Sequence, residues 1–543
     1  MRASSATSEA GGAGPVDVDA VVIGAGFAGL YMLHELRARG FSARVLEAGS
    51  DVGGTWYWNR YPGARCDIES VDYSYSFSES LQQEWEWSER YSAQPEILRY
   101  LSHVADRFDL RRDITFDARV TAAHFDEGAA CWTVHAPGLP PLVSRFCIMA
   151  TGCLSVPQVP ALPGLGDFHG PVHHTGNWPE SDVDFSGRAV GVIGTGSSGI
   201  QSIPVIARQA ARLTVFQRTP NFSVPAFNGP LDPDEFREVK ARYRERREAN
   251  RASSGGVDRA TNEQNTFDVD EDQRLHEFES RWGRGGFHLL GSYADIMVDQ
   301  RANDEVAEFV RGKIREVVHD PATAEALLPR GHPLGSKRVC VDTGYFEAYN
   351  QDHVTLVDLR RSPLETITAR GVRAGGVEHE LDSLVLATGF DAMTGALDRI
   401  DVRGRDGCEL AEAWSGGPAT YLGLGVAGFP NMFVLAGPGS PSVLTNMVTS
   451  IEQHVQWTAG CVDHLRRNGY RSIEATEQAQ HDWVEHVREL AAETLFPKAA
   501  SWYLGANVPG KQQVFMPYVG GLDLYEETCD AVAANDYRGF DLK

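Results

Sequence analysis

The sequence predicts an α/β protein built from two nucleotide-binding units and a helical insertion. A pattern of β-branched strand, glycine-rich turn, helix and second strand occurs near the amino terminus and again near residue 190. A charge-rich segment with apolar residues at helical spacing follows the second unit. Because 543 residues exceed what one hydrophobic core usually holds, we expect two or three domains.

The first unit contains the turn GAGFAG, in which the glycines are Gly24, Gly26 and Gly29. The first glycine makes the turn, the second lets the backbone approach a pyrophosphate, and the third lets the helix pack on the strand. Glu47 follows the next strand, 23 residues after Gly24, where a carboxylate can accept hydrogen bonds from both ribose hydroxyls. This unit therefore predicts a Rossmann-like site for an unphosphorylated adenosine dinucleotide.

The second unit contains the turn GTGSSG, from Gly194 to Gly199. Arg218 lies 24 residues after Gly194, near the place where the first unit has Glu47. A carboxylate would repel a 2′-phosphate, whereas a guanidinium can bind it with two hydrogen bonds. The second unit therefore predicts an NADPH site, and the two units together predict a flavoprotein reduced by a nicotinamide. The alternative, two turns that serve packing alone, does not account for the opposite charges.

Composition and charge exclude several classes of protein. The net charge is −24, from 74 acidic and 50 basic residues, so we expect no nucleic-acid or membrane partner. The eight cysteines show no CxxC or Cys/His spacing, so we expect no metal site. No stretch is apolar and long enough to form a signal peptide or to span a bilayer, which predicts a cytoplasmic protein with reduced thiols. We also expect a monomer.

The domain organisation follows from where apolar strands meet small-residue turns. The strand in FCIMATG ends near Gly152, and the strand in LVLATGFD ends near Asp391, so the chain can cross between nucleotide domains at both places. The stretch SSGGVDRATNEQN, from Ser253, is predicted to be a mobile loop. The predicted parts are a disordered tail (1–16), a first nucleotide domain (17–156 and 388–543), a second nucleotide domain (157–225 and 331–387) and a helical subdomain (226–330).

Between the two units the chain carries FHGPVHHTGNWP, a stretch too irregular to predict a helix or a strand. Its histidines could act as bases or metal ligands, but no carboxylate or cysteine accompanies them. We interpret the stretch as a connector whose rings lock it and whose glycines let it bend between domain positions.

This stretch also carries a family resemblance. It matches the pattern Phe-x-Gly-x-x-x-His-x-x-x-Trp-Pro/Asp at every fixed position, which are Phe168, Gly170, His174, Trp178 and Pro179. That pattern is the fingerprint of type I Baeyer–Villiger monooxygenases, and the chain resembles them over almost its whole length after the tail. The passages GGTWYWNRYPGARCD, GSKR, ATGFDAMTGAL and SWYLGANVPGK extend the similarity, which is greatest to the phenylacetone and steroid monooxygenase group.

The resemblance implies FAD in the first domain, NADPH in the second, and a ketone with O2 as substrates. NADPH reduces FAD, O2 forms a flavin C4a-peroxide, and attack on an aryl, cyclic or steroid-like ketone gives an ester or lactone. An N- or S-oxygenating flavin monooxygenase is the enzymatic alternative, but that family lacks the final Trp-Pro. A nucleotide sensor without turnover is the alternative from another class.

The resemblance also implies a set of site residues. Arg338 is expected to stabilise the peroxide and the later oxyanion, and Asp67 to orient it. Trp502 is expected to cover the nicotinamide. Residues expected to bind the diphosphate and 2′-phosphate of NADPH are Thr195, Gly196, Ser197, Ser198, Gln201, Arg218, Thr219, Lys337 and Arg338. Residues expected to bind FAD, beside the first glycine turn, are Glu47, Thr55, Trp56, Trp58, Arg65, Asp67, Tyr73 and Met447. Residues expected to contact the ketone are Ser442, Val443, Leu444 and Met447.

Overall fold

The structure, a computed structural model, describes residues 16–257 and 259–543, so the predicted disordered tail lies outside the described residues except for Val16. The strands are β1 (Val18–Ile23), β2 (Ala43–Leu46), β3 (Ile114–Thr115), β4 (Ala122–Asp126), β5 (Cys131–His135), β6 (Leu142–Met149), β7 (Val172–His174), β8 (Ala189–Ile193), β9 (Arg212–Gln217), β10 (Ser223–Pro225), β11 (Cys340–Asp342), β12 (Val354–Asp358), β13 (Leu364–Thr368), β14 (Gly371–Ala374), β15 (Val377–Glu380), β16 (Ser383–Leu386), β17 (Asp401–Arg403), β18 (Met432–Val434), β19 (Ile473–Ala475) and β20 (Phe540–Leu542). The α-helices are α1 (Phe27–Ala38), α2 (Thr55–Trp58), α3 (Glu79–Glu84), α4 (Gln94–Arg107), α5 (Ser197–Ala207), α6 (Pro233–Ala241), α7 (Tyr243–Arg251), α8 (Glu271–Arg284), α9 (Gln300–Val317), α10 (Pro321–Leu327), α11 (Leu410–Ala413), α12 (Met447–Asn468), α13 (Glu477–Ala492) and α14 (Leu522–Ala534).

The larger sheet has eight strands in the order β17-β4-β5-β6-β1-β2-β3, with β18 paired to β6. Its central strands β2, β1, β6 and β18 run parallel. The apolar run of β1 is buried on both faces of the sheet, as parallel strands covered by helices require. α1 crosses from β1 to β2, so the first predicted strand–turn–helix–strand unit lies at the centre of this sheet.

The second sheet has five parallel strands in the order β12-β9-β8-β16-β7. α5 crosses from β8 to β9, which is the second predicted unit. The prediction that residues 168–179 contain no strand is wrong. Val172–His174 forms β7, the edge strand of this sheet, which pairs with β16 in a register that buries His174 and leaves Val172 exposed. The stretch is therefore partly a strand of the second sheet.

The chain passes between the two sheets twice, and the two crossing segments, 153–158 and 389–393, bond to each other. Asp391 donates its backbone N–H to Val156, and Gln158 donates to Gly389, both at 2.9 Å. The strands of the larger sheet come from residues 18–149 and 401–434, and those of the second sheet from 172–217 and 354–386. The predicted domain boundaries themselves stay predictions.

Between β10 and β11 the chain forms the helices α6 to α10. α7 is attached to the first nucleotide unit by Arg246, which pairs with Asp72, and by Arg247, which donates to the Asp72 carbonyl at 3.0 Å. The described residues of the stretch from Ser253 form no helix or strand, and its predicted mobility stays a prediction. Its backbone carbonyls nevertheless accept hydrogen bonds, from Asn446 to Gly255 and from Leu522 to Ser254, each at 2.9 Å.

Candidate functional site

The two glycine turns have the same backbone geometry. Gly24 and Gly194 adopt φ values of +106° and +108°, which side chains rarely tolerate. A Cβ atom at Gly29 would overlap the carbonyl oxygen of Gly24, and one at Gly199 would overlap that of Gly194. The first and third glycines of each turn are therefore required by the protein's own packing.

The second glycine differs between the turns. At Gly196 a Cβ atom would meet no atom within 4 Å, so the backbone lies open to a ligand. At Gly26 it would lie 3.3 Å from the Cα of Gly54, which belongs to the GGTW passage. The side chains at both helix starts form no cap hydrogen bond, which leaves first-turn N–H groups for an anion. Both turns fit a dinucleotide diphosphate.

Glu47 is buried beside the first turn. Its carboxylate accepts backbone N–H groups from Ala25 at 2.6 Å and Gly49 at 2.7 Å. Burial raises the pKa of this carboxyl, against the lowering effect of these hydrogen bonds. The carboxylate keeps acceptor capacity for a ribose hydroxyl, so the residue fits its predicted role.

Arg218 and Lys337 lie close enough for the charge of one to affect the other. Burial lowers the pKa of Lys337, and the nearby Arg218 charge lowers it further. Within residues 16–257 and 259–543 neither cation forms an ion pair with an acidic side chain. Thr195 donates its hydroxyl to the carbonyl of Thr219 at 3.1 Å, which joins the second turn to this place. Two uncompensated cations beside a nucleotide turn fit the 2′-phosphate of NADPH.

Arg338 and Asp67 form an ion pair with 3.5 Å between Nη2 and Oδ2. Burial raises the pKa of Asp67 and outweighs the opposite effect of Arg338. Burial lowers the pKa of Arg338, but the combined effect of Asp67, Tyr503 and the nearby cysteines raises it overall, so the guanidinium stays charged. Arg338 also donates Nη1 to the carbonyl of Val443 at 3.0 Å and lies 5.0 Å from the ring centroid of Phe287.

The predicted substrate residues are not equivalent in the structure. Ser442 is fully buried, with a left-handed φ of +44°, so its side chain does not face an open space. Val443 is buried, and Leu444 and Met447 are half-buried. Val443, Leu444 and Met447 belong to one apolar cluster that also contains Trp502. The predicted nicotinamide cover and the predicted ketone contacts therefore pack together.

Sequence reasoning missed Tyr503, which follows Trp502 and lies in the same cluster as Val443. Burial raises the pKa of Tyr503 to about 12, and a hydrogen bond with Arg338 opposes this rise. The only available signal was the adjacent Trp502, because the spacing of residues 338 and 503 carries no information about contact.

The predicted flavin residues lie around α2. Trp56 donates its indole N–H to the Tyr73 hydroxyl at 3.2 Å, Thr55 is exposed and Trp58 is half-buried. Arg65 is different, because its guanidinium pairs with Glu89 at 3.2 Å. Its predicted part in cofactor binding stays a prediction.

Three polar residues of the second turn face different partners. Ser197 lies 3.3 Å from Cys340 Sγ, and Ser198 lies 3.0 Å from the Thr175 hydroxyl. Gln201 is buried, and its side chain points to residues 61–67 of the first unit. The structure thus brings Ser197 and Ser198 to the start of α5 but turns Gln201 toward the Arg338–Asp67 pair.

His174 of the fingerprint holds the crossing segments. Its Nδ1 accepts the N–H of Gly176 at 2.9 Å, and its Nε2 lies 3.2 Å from the Gln158 carbonyl and 3.1 Å from the Thr388 hydroxyl. Burial lowers the pKa of this histidine, so it is neutral and donates from Nε2. These contacts support the predicted structural role of His174. Both ring nitrogens are occupied by hydrogen bonds within the protein, which argues against a role as a general acid or base.

The other fingerprint residues pack around this histidine's strand. Phe168 and Trp178 are buried, and a Cβ atom at Gly170 would overlap the carbonyl of Asp382. Trp178 lies 6.3 Å from Phe185 by ring centroids, and Pro179 follows it half-buried.

The fold and its two turns define an α/β oxidoreductase with two dinucleotide sites, and residues 21–281 match the family model of pyridine nucleotide-disulphide oxidoreductases. A Baeyer–Villiger monooxygenase of Pseudooceanicola batsensis is 43% identical over 527 residues, which cover 96% of this chain and 95% of that protein. The acetone monooxygenase (methyl acetate-forming) of Gordonia sp. (strain TY-5) is 43% identical over 528 residues, covering 97% and 99%. A structure described as oxidized steroid monooxygenase bound to NADP matches with a TM-score of 0.93 at 52% identity, covering 97% and 99%. The chain belongs to the Baeyer–Villiger monooxygenase family.

These similarities confirm the predicted family, the α/β fold class with two dinucleotide domains, and the monooxygenase class. No helix in the described part of the chain is both long and apolar enough to cross a bilayer.

Proposed function

We propose that the protein is an FAD- and NADPH-dependent Baeyer–Villiger monooxygenase that converts aryl, cyclic or steroid-like ketones with O2 to esters or lactones. The observation that carries this proposal is the half-buried Arg338–Asp67 pair, which lies beside the apolar cluster containing Trp502 and the loop of Val443. The location in the cytoplasm and the monomeric state stay predictions.

The residues present fit both cofactors. Glu47 and the first turn would hold FAD, while the second turn, Arg218 and Lys337 would hold NADPH. When bound, these cofactors supply the electrons and the activated oxygen that the side chains of this chain cannot supply.

Arg338 provides a fixed cation where negative charge develops on oxygen. Its guanidinium keeps its proton at every working pH, so it can stabilise an oxyanion without transferring a proton. Asp67 holds the guanidinium from one side, and the Val443 carbonyl holds it from another. A cation with two fixed partners needs little reorganisation when the charge appears.

The apolar cluster around Trp502 and Met447 would limit the water beside that cation. Its members include Val443, Leu444 and Phe515, and none carries a charge. Low local water strengthens the electrostatic effect of Arg338 and disfavours loss of activated oxygen as hydrogen peroxide. The same apolar surface suits the carbon skeleton of a ketone, and acetone and steroid appear in the names of two relatives.

The purified protein tests this proposal. We expect it to be yellow and to consume NADPH in air faster when phenylacetone, cyclohexanone or progesterone is added, with an ester or lactone seen by mass spectrometry. Reactions without ketone and reactions without O2 are the controls. A colourless protein that binds NADPH without consuming it would favour a sensor. N- or S-oxides as the sole products from a mixed panel would favour the alternative monooxygenase.

A further inference from the structure

Gln201 makes contacts that its predicted place in a diphosphate loop does not explain. It lies one turn into α5 and is buried. Its Oε1 accepts the Tyr61 hydroxyl at 2.8 Å and the Arg65 N–H at 3.3 Å. Its Nε2 donates to the Arg65 carbonyl at 3.1 Å and to Asp67 Oδ1 at 3.4 Å.

These four hydrogen bonds occupy both acceptor positions and both donor positions of the amide. None remains for a phosphate oxygen. The approach of the two segments is also close, because a Cβ atom at Gly63 would overlap the Gln201 carbonyl, and Gly63 has a φ of +83°. The contact is therefore built into the backbone of both units.

The side-chain amide of Gln201 also contacts the Arg338–Asp67 pair. Asp67 receives Gln201 on Oδ1 and Arg338 on Oδ2, at 3.4 and 3.5 Å. A carboxylate held on each oxygen by a different donor has a fixed rotation, and that rotation fixes the side from which it meets the guanidinium.

We propose that Gln201 is a positioning residue that orients Asp67, and through it Arg338, and so couples the helix that binds the NADPH diphosphate to the cation that promotes oxygenation. This inference rests on the proposed function. Ser197 and Ser198 at the start of α5 would meet the nucleotide, whereas Gln201, one turn later, contacts the other unit. When the diphosphate of NADPH binds at the start of α5, it would fix the position of this helix. The helix would in turn fix the position of Gln201, and Gln201 that of Asp67.

The direct test replaces the amide by groups of similar length. Gln201→Met removes all four hydrogen bonds, and Gln201→Glu keeps the shape but turns a second carboxylate toward Asp67. Tyr61→Phe is the matched control, since it removes one bond to Gln201 and leaves the bond to Asp67. Flavin content and thermal unfolding establish that each variant folds.

Two quantities are measured for each variant: the Kd for NADPH in anaerobic flavin reduction, and the moles of ester formed per mole of NADPH consumed. We expect the Kd to stay within about twofold of wild type, because no phosphate contact is lost. Ester per NADPH should fall about fivefold to tenfold in Gln201→Met and further in Gln201→Glu, with hydrogen peroxide in its place. Tyr61→Phe should fall by less than about twofold.

Ser197→Ala provides the opposite pattern, a raised Kd with ester per NADPH unchanged. The same pattern in Gln201→Met would show that Gln201 is a nucleotide ligand and would overturn the inference. Wild-type coupling in both Gln201 variants would overturn it as well. Failure of the proposed function looks different, because the wild-type protein itself would then form no ester, while the Kd comparison would still decide whether Gln201 binds NADPH.

Discussion

Arg218→Ala gives the sharpest prediction about cofactor choice. Arg218 and Lys337 lie together without an acidic partner in the described ranges, an arrangement that costs repulsion unless an anion binds. A hydrogen bond to a charged group contributes about 1.5–3 kcal/mol. Arg218 is exposed, so the lower part of that range applies, and its removal also relieves the repulsion at Lys337 in the free protein.

We therefore expect Arg218→Ala to lose about 1.5–2 kcal/mol of NADPH binding, which corresponds to a rise of about 10- to 30-fold in KM. NADH lacks the 2′-phosphate, so its KM should change by less than about twofold. The assay measures KM for both nucleotides at a saturating ketone concentration. The control for the change in net charge is Arg208→Ala, because Arg208 is an exposed arginine just after the C-terminal end of α5.

Equal losses for NADPH and NADH would refute the reasoning, because the arginine would then act on the nucleotide as a whole. A similar loss in Arg208→Ala would show that the effect is a long-range charge effect, which added salt would abolish.

Three further predictions test other parts of the structure. The Arg338→Met variant should keep its flavin and still oxidise NADPH, while ester formation falls at least about 100-fold because the fixed cation is gone. Gas chromatography of the product measures ester formation. If the variant still formed ester at the wild-type rate, another cation would have to stabilise the oxyanion. Gly196→Ala should fold normally and raise the KM for NADPH, since its methyl group would occupy the open space where the nucleotide is expected to bind. Gly199→Ala should instead lower the melting temperature, because its methyl group would overlap the Gly194 carbonyl. Identical behaviour of the two variants would contradict this geometry. His454 is buried and its pKa is lowered to about 3 by desolvation, so the unfolded chain binds a proton more readily as pH falls below 6.5. Stability should therefore drop by about 2 kcal/mol on going from pH 7.5 to 5, and His454→Asn should remove that part of the drop, as thermal unfolding at both pH values would show; a variant with unchanged pH dependence would mean that the histidine is not the titrating group.

Several elements of the fold were readable because their causes are local. Gly24 and Gly194 have positive φ values that the glycine spacing predicts, and the two helices begin within the glycine motifs, at Phe27 and Ser197. β7, which the sequence analysis had excluded, has three residues, two of them histidines. Its pairing with β16 is a tertiary interaction, which the local strand propensity of these residues does not predict.

The candidate site shows the same division. The sequence pointed to Arg338, Asp67 and the charges at residues 47 and 218 through spacing and motif. The contact of Arg338 with the Val443 carbonyl, the approach of Tyr503, and the turn of Gln201 toward Asp67 join residues more than 100 positions apart. Such contacts depend on how the two sheets pack against each other, which cannot be predicted from the spacing of residues along the chain.

By itself, then, the sequence determined the α/β class, the two nucleotide turns and their opposite charges, because these depend on backbone conformations and charges within about 25 residues of one another. The tertiary structure alone decided how the two units touch. It placed His174 on the crossing segments and Gln201 against Asp67, since burial and hydrogen-bond geometry at that junction arise only when both sheets have formed.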